Sequence, residues 1–184
     1  REINPALQSY YEYETLNEKS APFRDYAKAL ERVSIETEGR DLIEVGCGTG
    51  GFLEFDRQGG WKVYGVDSSA DNIAKVRDRD IEASCNDFLN FHSDRKFDVI
   101  VLWDLIEHPQ DPVSYVKKSY ELLKPEGVLL LATPHDPNVL TLTANLIYRL
   151  SLGKLKLPIE KLYFLEHTSY FSLKTLAKLL ENGR

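Results

Sequence analysis

The stretch that decides the fold is DLIEVGCGTGG (Asp41–Gly51). Its first five residues predict a buried β-strand, and the glycine-rich part predicts a tight turn into a helix. Gly46, Gly48 and Gly50 let the backbone turn sharply and approach a ligand, because glycine has no Cβ atom to clash. Free N–H groups at the start of the following helix would face that ligand. The stretch therefore predicts a strand–loop–helix unit that binds a small molecule.

Apolar runs alternate with helical patterns on both sides of this stretch. Further strands are predicted at Trp61–Val66, Ile81–Cys85, Phe97–Trp103 and Val128–Thr133. Helices are predicted at Phe23–Val33, through Phe52 and Phe55, at Ser69–Arg79 and at Asp111–Gly127. This alternation is typical of parallel βαβ units, so we predict an α/β, Rossmann-like, doubly wound sheet that is mostly parallel. Ligands of such sheets bind beyond the carboxyl ends of the strands.

The composition is that of one ordinary folded domain. The chain has 184 residues, 42% of them hydrophobic, and a net charge of −6. No apolar run reaches the ~20 residues that span a bilayer, so no membrane span is expected. The acidic balance argues against a nucleic-acid partner. Two cysteines cannot form a disulfide framework, and we expect a cytoplasmic protein.

A carboxylate follows the glycine loop at the end of the second predicted strand. Asp67 lies at the distance, about 20 residues on, at which an acid can bind both hydroxyls of a ribose. Asp87, after the third predicted strand, could accept a hydrogen bond from an adenine amino group, or could instead cap a turn. The loop Gly46–Gly51 also fits the dinucleotide fingerprint, which leaves NAD open. Glu44 and Asp87 favour S-adenosylmethionine over NAD.

At these motifs the chain resembles the class I S-adenosylmethionine-dependent methyltransferases, over about residues 40–183. It is similar to their small-molecule branch, which includes the ubiquinone-biosynthesis O-methyltransferases. The motifs concerned are DLIEVGCGTG (41–50), Asp67, NDF (86–88), FDVIVLWDLIEHPQDP (97–112), LLKPEGVLLLATP (122–134) and HTSYFSLKTLAKLLENG (167–183). The resemblance implies that the cofactor lies against Glu44, Gly46, Cys47, Gly48, Gly50, Asp67, Ser68, Asp87, Phe88 and Trp103.

The resemblance also implies how a single methyltransferase domain (1–184) is organised. We expect an N-terminal helical cap (1–38), a cofactor-binding core (39–134), a lid segment (135–166) and a last helix (167–184). Within the lid, an amphipathic helix is predicted from Leu140, Ala144, Ile147, Tyr148 and Leu150. The family pattern has two further edge strands after Gly183. The sequence also contains no methionine, so we expect it to be part of a longer methyltransferase.

The two cysteines are expected to have different surroundings. Cys47 is interpreted as a small space-filling residue of the loop, and Cys85 as a buried residue at a strand end. In the usual strand order another strand separates them by about 10 Å, which is too far for a disulfide.

Methyl transfer to an oxygen benefits from a general base. The candidate bases are Asp104, His108, His135 and His167. The Glu107-His108 pair could instead be structural and fix the loop before Asp111. The spacing of Glu107, His108 and His135 does not suggest a metal set, so no metal is predicted.

Three functions are compatible with these observations. The leading hypothesis is an enzyme that moves a methyl group from S-adenosylmethionine to an O or N atom of a small-molecule acceptor, leaving S-adenosylhomocysteine. The chain could act as a homodimer. The alternatives are an NAD-dependent oxidoreductase and a catalytically silent module that only binds the cofactor.

Overall fold

The structure is a computed structural model that describes residues 21–137, 139–151, 154 and 167–184. The predicted cap before residue 21 lies outside the described residues, as do most of the predicted lid residues from 152 to 166. The described chain divides into two compact units. The first contains the residues up to Trp103 and Leu122–Leu130, and the second contains Asp104–Glu121 and Leu131–Arg184. The prediction of one domain stays a prediction.

Five strands of the described chain form one sheet in the order β3-β2-β1-β4-β5. The strands are β1 (Asp41–Val45), β2 (Lys62–Asp67), β3 (Ala83–Cys85), β4 (Phe97–Trp103) and β5 (Leu123–Ala132). β1 pairs in parallel with both β2 and β4, and β2 pairs in parallel with β3. The predicted parallel, Rossmann-like sheet is therefore confirmed. Its order places β2 between the strands that precede Cys47 and contain Cys85, as expected.

Helices connect the strands as the alternating pattern predicts. They are α1 (Ala21–Glu36), α2 (Gly51–Gln58), α3 (Ala70–Arg77), α4 (Pro112–Leu122), α5 (Val139–Leu150) and α6 (Leu173–Gly183), with a short 3₁₀ helix at Phe88–Asn90. The Ser69 hydroxyl caps α3 by accepting a hydrogen bond from the N–H of Asn72 at 3.3 Å. Ser172 and Thr175 form a capping box at the start of α6. Serine at these positions satisfies N–H groups that have no partner inside the helix.

The core of the first unit lies on both faces of β1 and β4. Leu42 and Ile43 of β1 and Ile100 of β4 are completely buried. Phe52 and Leu53 of α2 are completely buried as well. The nearly unbroken apolar sequence of β4 follows from this burial on both faces. The packing holds the end of β1, and with it the glycine loop, in a fixed position.

The helix predicted at Asp111–Gly127 is shorter than expected. In the structure α4 ends at Leu122, and β5 begins at Leu123 rather than at Val128. Pro125 disfavours helical geometry in the residue before it and has no N–H group to donate. Glu126 has a φ of 63°, in the left-handed region. The ammonium of Lys124 also pairs with the carboxylates of Asp41 and Asp98, at 2.7 and 2.9 Å.

The expectation that Cys85 is buried is wrong. Cys85 ends β3, a three-residue strand at the edge of the sheet, and is exposed. An edge strand is covered by a neighbour on one side only, which leaves its end open to solvent. Cys47 is buried as expected, with its sulfur beside Gly65, and both cysteines are free.

The helix predicted within the lid segment is present as α5. Ala144 is buried, whereas Ile147, Tyr148 and Leu150 are between 36% and 76% exposed. Its role as a lid stays a prediction. Within the described residues, no helix is both long and apolar enough to cross a membrane.

Candidate functional site

The glycine loop after β1 folds back onto the end of β2. The N–H groups of Gly46 and Cys47 donate to the carbonyl of Val66 at 2.7 and 3.2 Å, and that of Gly50 donates to Cys47 at 3.0 Å. The N–H of Gly48 donates to the Asp67 carboxylate at 2.9 Å. These four amides are therefore used inside the protein. The loop's contribution to a ligand is the close approach of its backbone rather than these N–H groups.

Asp67 is held in one orientation by its neighbours. While Oδ2 accepts from Gly48, Oδ1 accepts from the N–H of Ser69 at 2.8 Å and from the Asn72 amide at 3.4 Å. The side chain is only half-buried. Because an ionised carboxylate offers about four lone-pair sites, it can still accept hydrogen bonds from a ligand. With three of these sites occupied, about one lone pair, on Oδ2, is left for a ribose hydroxyl, and the predicted contact with both hydroxyls stays a prediction.

Gly48 and Gly50 differ in how much space surrounds them. A Cβ atom on Gly48, whose φ is +52°, would meet nothing within 4 Å. A Cβ atom on Gly50, whose φ is +76°, would lie 2.9 Å from Cγ2 of Val76. Both residues have backbone angles that favour glycine. Gly50 is therefore required by packing against α3, whereas Gly48 borders open space where a ligand can approach.

Glu44 of β1 carries a buried polar atom that a ligand could satisfy. The side chain is 3% exposed, and Oε2 has no hydrogen-bond partner among the described residues. Burial, reinforced by the charges of Asp56 and Asp67, raises the pKa of the Glu44 carboxyl well above its ordinary value. An unsatisfied buried carboxyl group is costly. The ammonium group of S-adenosylmethionine is a donor that fits this requirement.

Trp103 ends β4 within an aromatic cluster of the first unit. Tyr26 of α1 stacks on it with ring centroids 4.3 Å apart, and Phe52 meets it edge-on at 5.5 Å. Trp103 is 8% exposed, and its Nε1 atom has no hydrogen-bond partner in the described chain. The sequence pattern predicts the helix that contains Tyr26 but not this contact. A tyrosine on the predicted amphipathic helix was the available signal.

The other residues predicted to contact the cofactor have surroundings that do not by themselves indicate a ligand. Asp87 is exposed, and its Oδ1 caps the 3₁₀ helix by accepting from the N–H of Leu89 at 2.8 Å. This is the turn-capping alternative, although other lone pairs of the carboxylate remain. Phe88 is 2% exposed and packs in the core, while Ser68 is exposed. The N–H of Asn86 donates to the carbonyl of Asp67 at 3.0 Å, which holds this loop beside Asp67.

The candidate bases lie in the second unit. Asp104 is exposed, has a φ of 44°, and donates its N–H to the carbonyl of Ala132 at 3.0 Å. His135 is exposed and forms an isolated bridge with Phe171. Their catalytic roles, like that of His108, stay predictions.

His108 and His167 are brought together in the second unit. Their ring centroids are 4.9 Å apart, and both rings lie beside the carboxylate of Glu107. The histidine that the sequence places with Glu107 and His108 as a possible metal ligand is His135, not His167. No local sequence signal joins two histidines that lie this far apart along the chain.

Comparison with known proteins identifies the class to which this fold and loop belong. Residues 18–182 match a family described as the methyltransferase domain. The chain therefore belongs to this methyltransferase family, and the predicted resemblance to the class I S-adenosylmethionine-dependent methyltransferases is confirmed. S-adenosylmethionine is the cofactor of that superfamily.

Two curated relatives have sequences similar to this chain. A probable S-adenosylmethionine-dependent methyltransferase of Mycolicibacterium smegmatis is 32% identical over 124 residues, which are 65% of this chain and 48% of the relative. A ubiquinone biosynthesis O-methyltransferase of Rhodopseudomonas palustris is 31% identical over 117 residues, covering 60% of this chain and 45% of the relative. The chain thus spans about half the length of the curated relatives it matches.

Solved structures confirm the fold. An S-adenosylmethionine-dependent methyltransferase from Clostridium acetobutylicum matches 98% of this chain and 87% of its own, with a TM-score of 0.66 and 16% identity. The N-methyltransferase NodS from Bradyrhizobium japonicum, solved with S-adenosylhomocysteine, matches 94% of this chain and 83% of its own, with a TM-score of 0.62 and 18% identity. At these identities the likeness concerns the fold alone.

Proposed function

We propose that the protein is an S-adenosylmethionine-dependent methyltransferase that transfers a methyl group to an O or N atom of a small-molecule acceptor. The observation that most supports this function is the hydrogen bond from Gly48 to Asp67 beside the open space at Gly48. This hydrogen bond fixes the Asp67 carboxylate and the Gly48 backbone at the carboxyl ends of two adjacent parallel strands. That is where ligands of doubly wound sheets bind.

Each group of the first unit then has a defined task toward the cofactor. Asp67 accepts hydrogen bonds from the ribose hydroxyls, and Glu44 accepts one from the ammonium group at its buried Oε2 atom. Gly48 lets the ligand approach the backbone where a side chain would intervene. Trp103, fixed by Tyr26, provides a rigid apolar surface.

The chemistry asks little of the protein beyond positioning. When bound, S-adenosylmethionine supplies a methyl group on a positively charged sulfur, which is already a good leaving group. The protein orients the acceptor for in-line attack and excludes water. A base is useful when the acceptor is a hydroxyl. Asp104, His108 and His135 are our candidates for accepting that proton.

An oxygen acceptor has more support than a nitrogen one. The curated relatives of Rhodopseudomonas palustris and Haemophilus ducreyi, 31% and 32% identical, are named ubiquinone biosynthesis O-methyltransferases. The structural neighbours named as N-methyltransferases are at most 20% identical and support only the fold. We therefore place hydroxylated aromatic compounds first among the acceptors to be tested.

The proposal is tested in two stages with the full chain. Calorimetry with S-adenosylhomocysteine and with NAD should show binding of the former only. A transfer assay with radiolabelled S-adenosylmethionine, run over catechols, phenols and amines, should then label a phenolic oxygen. Binding of NAD without S-adenosylhomocysteine would favour the oxidoreductase alternative. Cofactor binding without transfer to any member of the panel would favour the silent module.

A further inference from the structure

Two carboxyl groups are buried together in the core of the first unit. Glu44 of β1 is 3% exposed, and Asp56 of α2 is 1% exposed. Oε2 of Glu44 and both carboxylate oxygens of Asp56 have no hydrogen-bond partner among the described residues. Buried carboxyl groups are normally hydrogen-bonded or paired with a cation. A second buried acid beside Glu44 is therefore a feature that packing alone does not explain.

The strands on either side of Glu44 offer its side chain no partner. Gly65 of β2 and Val101 of β4 lie in register with it. One has no side chain, and the other is a completely buried valine. A Cβ atom on Gly65 would come within 2.9 Å of Cδ1 of Leu53 on α2. The helix that carries Asp56 thus packs directly on the strands at the level of Glu44.

The other titratable groups around Glu44 do not supply a positive charge. Burial is the largest cause that raises the pKa of Glu44, followed by the charge of Asp56 and then that of Asp67. Cys47 in the glycine loop is a neutral thiol, because burial raises its pKa as well. Two acids and a thiol therefore face Glu44, and the positive charge that would balance it has to come from a ligand.

The cations nearest to Asp56 are engaged elsewhere or open to solvent. The cavity beside Asp56 is lined by Lys28 and Glu31 of α1, both exposed, and by Arg40. The guanidinium of Arg40 lies over the ring of Trp61, 5.1 Å from its centroid. Burial raises the pKa of Asp56 to about 8, and no cation of the described chain offsets this rise.

We propose that Asp56 is a further residue of the cofactor site that acts through Glu44, and that this acidic pair gives up a proton in exchange for the ammonium group of S-adenosylmethionine. The inference rests on the proposed function, in which Oε2 of Glu44 accepts a hydrogen bond from that group. Binding breaks the O–H bond of the Glu44 carboxyl, and the proton leaves to solvent. An ammonium N–H then donates to the new carboxylate, so the buried charge forms only when its partner is present.

Asp56 is a positioning residue in this exchange, because its charge acts on Glu44 and on the ammonium group. Once ionised, Asp56 keeps Glu44 protonated in the free protein to a higher pH than Glu44 would reach alone. In the complex the same charge attracts the ammonium group. Affinity for the cofactor should therefore continue to rise with pH in wild type after it has levelled off in a variant without this carboxyl.

The test counts the protons released when S-adenosylhomocysteine binds to the full chain. Calorimetry is run in two buffers of different ionisation enthalpy, at about pH 6.5 and about pH 8.5, on either side of the pKa of Asp56. At the lower pH wild type and Asp56→Asn should have similar affinities, because position 56 is uncharged in both. At the higher pH wild type should release more protons per ligand and bind roughly threefold more tightly or better. The exposed Asp94→Asn should match wild type at both pH values.

Two controls locate the proton, and titration of the ligand itself cancels when two proteins are compared at one pH. Methylthioadenosine has the nucleoside of the cofactor but no ammonium group, so its binding should release no proton. Glu44→Gln has no proton to give up and should release none with either ligand. Proton release with methylthioadenosine equal to that with S-adenosylhomocysteine would overturn the proposal.

The remaining outcomes separate this inference from the proposed function. Equal proton release by wild type and Asp56→Asn at the higher pH contradicts the role of Asp56 alone, provided that S-adenosylhomocysteine binds. Absence of S-adenosylhomocysteine binding to wild type contradicts the proposed function itself. Circular dichroism checks that each variant is folded, and Asp56→Ser replaces Asp56→Asn if the latter is not.

Discussion

The carboxylate of Asp67 accepts a hydrogen bond from the backbone N–H of Gly48 at 2.9 Å, which ties the end of β2 to the loop that follows β1. The glycine loop and Asp67, each of which indicates a nucleoside ligand in the sequence, are thus joined by a hydrogen bond. Asp67 orients the loop, and its remaining lone pair on Oδ2 can accept a hydrogen bond from a ligand. A change at Asp67 should therefore alter ligand binding before it alters the fold.

Asp67→Asn should weaken S-adenosylhomocysteine binding by about 1–3 kcal/mol, which is roughly 5- to 150-fold in the dissociation constant. The amide keeps the shape of the side chain but loses the charge and one acceptor oxygen. Isothermal titration calorimetry measures the change. Asp94→Asn, at an exposed carboxylate, should bind as wild type. Equal affinities for the Asp67 variant and wild type would remove Asp67 from the site.

Alanine at Gly48 and at Gly50 should have opposite main effects. At Gly50 the new methyl group meets Val76 at 2.9 Å in a left-handed backbone, so we expect a loss of about 2–3 kcal/mol in unfolding free energy. At Gly48 the methyl group has room, and the backbone cost is about 1 kcal/mol. It would, however, occupy the space open to a ligand, and we expect at least tenfold weaker S-adenosylhomocysteine binding.

Urea denaturation and calorimetry on the same two variants decide the comparison. Gly48→Ala should be the more stable variant and the weaker binder when each is compared at a temperature where both are folded. If Gly48→Ala binds the ligand as wild type does, the ligand does not approach the loop at this residue.

Asp56 on α2 should make the protein less stable as the pH rises. It is 1% exposed, and neither carboxylate oxygen has a hydrogen-bond partner among the described residues. Burial raises the pKa of Asp56 from 3.8 to about 8. Between these values the folded state keeps a proton that the unfolded state has lost. Stability therefore falls with increasing pH in this range, by up to about 1.4 kcal/mol per unit.

Chemical denaturation at about pH 5, 6.5 and 8 tests the effect. These pH values span the window between the ordinary and the raised pKa of Asp56. Asp56→Asn cannot ionise, so its stability should decline less with pH than that of wild type. Part of the decline in stability should remain in Asp56→Asn, because burial also raises the pKa of Glu44. The exposed Asp94→Asn serves as control. Parallel pH profiles for wild type and Asp56→Asn would show that Asp56 ionises freely in the folded protein.

Lys124→Gln should lower the unfolding free energy at neutral pH by about 0.5–1 kcal/mol, a small value because its side chain is 35% exposed. Hydrogen bonding to Lys124 is the largest cause that lowers the pKa of Asp41. Because the pKa of Asp41 is lowered in the folded state, its ionised carboxylate stabilises the fold at pH values above the ordinary pKa of 3.8. This stabilisation is lost as the pH falls through the pKa of the folded state.

The difference between wild type and Lys124→Gln should accordingly shrink in acid. Urea denaturation at neutral pH and near pH 3 (about one unit below an ordinary carboxyl pKa) measures it. Lys62→Gln, at an exposed lysine of β2, should differ little from wild type at either pH. A difference that grows in acid would contradict the assignment of the ion pair.

The central part of the sheet was predictable because its signals are local. The apolar run of β4 coincides with the predicted strand, Phe97–Trp103. The hydroxyl of Ser69 caps α3 as its position suggested. In these segments the side-chain pattern and the backbone preference of each residue favour the same structure.

The end of α4 was not predictable in the same way. A helical pattern runs on to Gly127, but the chain turns at Leu122. The pairing of Lys124 with Asp41 and Asp98 joins residues that are 83 and 26 positions apart. Such contacts depend on how strands are ordered in the sheet, which no window of sequence contains.

The sequence by itself determined the class of the protein, the strand–loop–helix unit around Gly46–Gly50, and the acid at Asp67, because glycine conformation, hydrophobic period and strand-end position are properties of short segments. Only the tertiary structure decided that Tyr26 stacks on Trp103 and that His167 lies beside Glu107 and His108. These relationships join distant segments. They exist only because backbone hydrogen bonds and core packing bring those segments to one place.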